Sequence, residues 1–206
     1  MEQVLKAPSN RAKMRNSSNQ VKVLIWRSQE PDAINVDEFG HVELLIENMC
    51  YGFFPDRREN PTALARARGC KGILLARASV AVAVDYLERA AAAEGDEVVL
   101  NYRKLNNLPV VWSFTFKASS ENMQRLDAFL DSVEREAPLY AAFSRRPGTY
   151  NCQTISMRAL LVAGIYEGPV LQDPRPDALF DSLSQQIGQY GLVSKERLRL
   201  RPPDWI

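Results

Sequence analysis

Two short apolar runs that meet at Asn48, His41–Glu47 (HVELLIE) and Met49–Phe54 (MCYGFF), constrain the fold most. Both are rich in β-branched and aromatic residues and too short for a stable helix, so they read as the arms of a β-hairpin. Pro55 and Asp56 end it. Val21–Trp26 (VKVLIW) and Val110–Phe116 (VVWSFTF) read as further buried strands. Helical spacing dominates later. Ser119 or Ser120 caps a helix in which Met123, Leu126, Phe129, Leu130 and Val133 share a face, and Pro138 marks its end. A second helix opens at Asn151, with Ile155, Leu160, Leu161 and Ala163 inward and Gly164 as its stop. A third runs from about Pro176 to Gln189 after a turn at Asp173. Ser79 and Gly95 bracket an Ala-rich helix over Val80–Glu94, although Val80, Val82 and Val84 alternate as a strand would at its start. Residues 57–76 are mixed and Arg-rich, and no element is assigned there. Strands early, helices late and no βαβ rhythm define an α+β domain.

The chain has 206 residues, enough for one domain with a substantial core. The polar residues 1–19 read as a flexible basic arm, and 20–206 as a single domain. Lys195, Arg197, Arg199 and Arg201 make the tail basic, and it reads as a solvated, partly disordered end. The net charge is only +1, which argues against nucleic acid as a partner, because phosphate binding needs a concentrated basic face. No apolar run approaches the ~20 residues of a membrane-spanning helix. The N-terminus lacks the apolar stretch of a secretory signal, so a cytoplasmic site of synthesis is expected, with export only by a route that reads no such peptide.

Cys50, Cys70 and Cys152 are odd in number and irregularly spaced, so they are not a disulfide framework, and at least one thiol is free. Cys152 falls in the first turn of its helix. The unpaired N–H groups and positive dipole end there favour thiolate and can donate to an oxyanion. His41 is the only histidine and opens a strand directly after Gly40. Imidazole suits a thiol because it takes and returns a proton near neutrality. A surface or core histidine and an inert cysteine are the plainer readings, but the two contexts together favour a nucleophile and its base. Glu43, two residues along, shares the strand face of His41, while Asn48 and Asp56 are other polar groups of the hairpin. A zinc module built from Cys50, Cys70, Cys152 and His41 would lack the usual paired C-x2–4-C spacing, and no metal or cofactor is expected. Tyr51, Phe53 and Phe54 read first as core and second as a substrate groove. Tyr140 and Tyr150 read equally as packing or as groups near an oxyanion. Asn151 reads as a cap, and Arg145 and Arg146 as solvated loop residues.

Gly40-His41-Val42, then Tyr51-Gly52-Phe53-Phe54-Pro55, the strand Ser113–Phe116 with its Ser-capped helix, Tyr150-Asn151-Cys152-Gln153-Thr154 and Ala163-Gly164-Ile165 follow one another in order. Over about residues 21–185 this resembles the circularly permuted papain-like hydrolases, a set with lecithin:retinol acyltransferase-like proteins and bacterial cell-wall amidase and toxin relatives. In that set the histidine strand precedes the cysteine helix. The resemblance implies a small antiparallel sheet packed on the helix that carries the nucleophile. It implies Cys152 as nucleophile and His41 as base, and a third polar group orienting the imidazole. Glu43 is the first candidate for that group, before Asn48 and Asp56. The implied activity is cleavage of a peptide or peptidoglycan-type amide through a thioacyl-enzyme, in the role of an exported bacterial effector with a cognate inhibitor or secretion adaptor. Lipid ester cleavage or acyl transfer, and an inactive interaction module of the same fold, are the alternatives.

Overall fold

A computed structural model of the chain describes residues 20–26, 40–56, 69–78, 110–142, 147–169, 171, 173 and 175–199. The basic arm, the helix expected over Val80–Glu94, Arg145, Arg146 and Arg201 lie outside the described residues. Among the described residues eight strands form one sheet: β1 (Gln20–Trp26), β2 (His41–Ile46), β3 (Met49–Pro55), β4 (Cys70–Ala78), β5 (Val110–Lys117), β6 (Leu139–Tyr140), β7 (Thr149–Tyr150) and β8 (Leu192–Arg199). Their order is β7-β6-β4-β3-β2-β1-β5-β8, antiparallel except for the β6–β7 pair. The described helices are α1 (Ser120–Glu136), α2 (Cys152–Val162) and α3 (Pro176–Gln185). The α+β architecture is as the sequence implies, but the sheet is larger than the small one expected.

The hairpin forms where the apolar runs place it, with Glu43 opposite Gly52 and Ile46 opposite Met49. Glu47 and Asn48 make the turn, Glu47 at φ 53°. Alternation then sorts the central strands. Val21, Val23 and Ile25 of β1, Val42, Leu44 and Ile46 of β2, and Phe114 and Phe116 of β5 pack with Leu126, Leu130, Leu160, Leu179 and Leu183 of the helices. The alternate positions Leu24, Trp26, Glu43 and Ser113 are buried as well, so both faces of the sheet's centre are covered.

Two strands correct the sequence reading. β4 lies partly in the stretch left without an element, paired to β3 from Met49–Ala78 to Pro55–Gly72 and to β6 through Cys70 and Lys71. Gly72 makes this pairing possible, because a Cβ there would lie 2.0 Å from the Phe53 ring and 2.6 Å from the Pro138 carbonyl oxygen. β8 replaces the disordered tail, running antiparallel along β5 as a charged edge strand. The third helix also stops earlier, at Gln185 rather than Gln189, and turns follow it.

Ser119 is the cap of α1. Its Oγ accepts from Asn122 N at 3.1 Å while Asn122 Oδ1 accepts from Ser119 N at 2.9 Å. Asn122 Nδ2 also donates to the carbonyls of Ala163 and Gly164, at 2.7 and 3.2 Å. These carbonyls just past α2 would otherwise lack partners, so one side chain joins the start of α1 to the end of α2.

Candidate active site

The entry to α2 is tightly built. β7 leads into it, and Ala141 N donates to Tyr150 O at 2.9 Å. Asn151 is the cap. Its Oδ1 accepts from Thr154 N at 2.8 Å, Thr154 Oγ1 accepts from Asn151 N at 2.8 Å, and Asn151 Nδ2 donates to Ala142 O at 3.0 Å. The reciprocal box fixes the first turn and sets Cys152 at the first helical position, 5% exposed. Ser156 Oγ donates back to the Cys152 carbonyl at 2.8 Å.

His41 stands at the first position of β2, opposite Trp26 of β1. Its Nε2 is 3.2 Å from Glu43 Oε1, and Glu43 is 1% exposed. The period of two on a strand aims both side chains the same way, as their spacing implied. Gly52 is the reason the carboxylate fits: a Cβ there would lie 2.6 Å from Glu43 Oε1 and 2.5 Å from the Phe54 ring. The imidazole stacks on Phe54, ring centres 4.6 Å apart at 24°, and meets Trp26 at 5.6 Å and 47°.

Cys152 completes the group, as a hydrogen-bond and charge partner of the His41 ring. Burial is the largest influence on that ring and disfavours its charged form. The charge and hydrogen bond of Cys152, then the hydrogen bond and charge of Glu43, act the other way and prevail, so the His41 pKa rises from 6.5 to about 10. Near neutrality the arrangement therefore favours the imidazolium form of His41.

The other sequence candidates fall elsewhere. Asn48 is exposed at the hairpin turn, the opposite end of β2 from His41. Asp56 is buried beyond β3, its N–H donating to Lys71 O at 2.8 Å. Tyr51 is core, Phe53 packs on Val133 and Ile155, and only Phe54 of the hairpin aromatics reaches the imidazole. Tyr140 packs against Phe53, and Tyr150 lies under the Arg158 guanidinium at 5.3 Å. Cys50 and Cys70 are buried on β3 and β4. Among the described residues no group of three or more His, Cys, Asp or Glu is placed to hold a metal ion. No described helix is long and apolar enough to cross a membrane.

Trp26 escaped the sequence reading. It is 6% exposed, and its indole Nε1 is a buried donor without a hydrogen-bond acceptor. Its place at the end of VKVLIW marks it only as core; the signal lies in the β1–β2 register, which no local pattern carries. No family model, no curated protein and no solved structure matches the chain.

Proposed function

We propose that this protein is a cysteine hydrolase that cleaves an amide bond through a thioacyl-enzyme. The observation that carries the reading is the Cys152 thiol at the start of α2, paired with an imidazole that a buried carboxylate holds. Three groups in that relation match the nucleophile, base and orienting residue that thiol acyl transfer requires. With Nε2–H held by Glu43, Nδ1 is left to exchange a proton with the sulfur.

The Cys152 thiolate adds to the substrate carbonyl carbon, and its oxygen becomes an oxyanion facing the N-terminal N–H groups of α2. The C–N bond then breaks as the imidazolium gives its proton to the leaving nitrogen. A C–S bond remains. Neutral His41 takes a proton from water as that water attacks the thioester. The products are the carboxylic acid and the regenerated thiolate–imidazolium pair. The histidine strand preceding the cysteine helix is the order of the permuted papain-like hydrolases, which supports placing the fold beside them. Peptide or peptidoglycan-type substrates, an effector role and a cognate inhibitor belong to the same proposal.

Incubation with peptidoglycan fragments, peptides and phospholipids, with products read by mass spectrometry, tests it. Amide cleavage by the native chain and none by Cys152→Ala is expected; phospholipid products alone would replace it with the lipid esterase. Iodoacetamide near pH 7 should label Cys152 before Cys50 and Cys70, and His41→Ala should slow that labelling. Labelling that ignores His41 would remove the activated thiol from the argument.

A further inference from the structure

A buried donor with no acceptor is unfavourable, and native proteins leave few of them. Trp26 holds one, in a ring whose centre lies 5.6 Å from the imidazole. The residue keeps 6% of its surface while Nε1 itself is covered in the free protein, so an acceptor reaches it only with a small shift of the ring or of what covers it. If His41 hands its proton to the leaving nitrogen, the half of the substrate beyond that nitrogen must lie against the imidazole and its neighbours. Trp26 is such a neighbour, directly across the β1–β2 ladder. A donor held ready without a partner serves a group that arrives with an acceptor.

We propose that the Trp26 indole N–H donates a hydrogen bond to the leaving half of the substrate, so that the site selects amides whose leaving amine carries a carbonyl, as an amino-acid residue does. This rests on the hydrolase reading above. It adds a selection among substrates: a simple alkylamine leaving group brings no acceptor and leaves the N–H unpaired. A site with a buried polar group discriminates strongly against the ligand that fails to satisfy it.

The test needs no known substrate. N-(chloroacetyl)alanine amide and N-propyl chloroacetamide both alkylate a reactive thiol, and only the first carries a carbonyl beyond the amide nitrogen. Rates at Cys152 are read by mass spectrometry on the whole protein, with Cys152→Ala as the blank. The native chain should react about 5- to 10-fold faster with the alanine amide, the worth of one buried hydrogen bond. Trp26→Phe should abolish the preference. So should replacement of Trp26 by 3-benzothienylalanine, which keeps the ring's shape and lacks the N–H, and which carries the test should the Phe variant fold poorly. The benzothienyl protein should melt no lower than the native one, because the lost N–H has no partner in the free protein; a clear fall would mark a structural hydrogen bond instead. Equal rates for the two reagents in the native chain, or a preference that survives both replacements, would overturn the Trp26 assignment alone. Alkylation no faster at Cys152 than at Cys50 and Cys70 would overturn the hydrolase reading and this inference with it.

Discussion

Two nitrogen bases in this molecule sit among aromatic rings, in opposite conditions. Lys195 of β8 holds its Nζ 4.0 Å from the Phe180 ring centre, 4.4 Å from Trp112 and 5.8 Å from Phe114, and donates to Ser184 Oγ at 2.9 Å. Trp112 and Phe180 meet edge to face at 5.2 Å around it. The ammonium therefore has π faces, a hydroxyl and a half-exposed position, which is how a cation clamps an edge strand to a helix. His41 also lies between rings, Trp26 and Phe54. Its further partners are the Cys152 sulfur and a buried carboxylate, and the ring beside it carries an unpaired donor. The difference teaches what to look for in such clusters. A satisfied cation holds structure together. A base whose charge depends on a sulfur, next to an unfilled hydrogen bond, is what the proposed hydrolysis rests on.

Turnover should separate the two clusters most. Cys152→Ala should abolish hydrolysis of whichever amide the product screen yields, and His41→Ala should lower it by about 10²–10⁴-fold. The double variant should be scarcely worse than Cys152→Ala, since both groups act in one step. Lys195→Met should leave turnover unchanged. Full activity in Cys152→Ala shown folded by circular dichroism would break the comparison.

Gly52 sharpens it. Gly52→Ala should push the Glu43 carboxylate or the Phe54 ring from the imidazole, lowering kcat by about tenfold and stability by about 1–3 kcal/mol. Glu43→Gln should lose less activity than removal of His41 or Cys152. A Gly52→Ala enzyme with native kcat would show that the carboxylate's position is not what the base requires.

The pH dependence comes next. A single histidine gives a single imidazole resonance, which should titrate near 10 by NMR and drop toward 6.5 in Cys152→Ala. Because the folded value is raised, the contribution of His41 to stability is complete below pH 6.5 and is lost as pH climbs through about 10. Urea unfolding at several pH values should show that loss in the native chain and less of it in Cys152→Ala. Turnover should also fall above pH 10, where the ring no longer carries the proton the leaving nitrogen needs. The smallest effect belongs to Lys195→Met: about 1–2 kcal/mol of stability in thermal melts, the worth of a partly desolvated cation–π cluster.

The sequence by itself determined the elements whose information is local. The hairpin around Asn48, a serine cap at Ser119 or Ser120, the helix start at Asn151 and the shared strand face of His41 and Glu43 each follow from spacing or from a cap, within a few residues. The helix-end position of Cys152 was legible for the same reason. Tertiary structure alone decided β4 and β8. CKGILLARA has no alternation strong enough to mark a strand, and it becomes one because β3 offers a free edge and Gly72 lets Phe53 pass. The charged run of β8 reads as a solvated tail until β5 pairs with it and three rings receive Lys195. The choice of Glu43 over Asn48 and Asp56, and the orphaned donor of Trp26, were decided the same way. Both depend on which strands lie side by side and in what register, and register is a property of two segments far apart in the chain, set by the burial of both their faces at once.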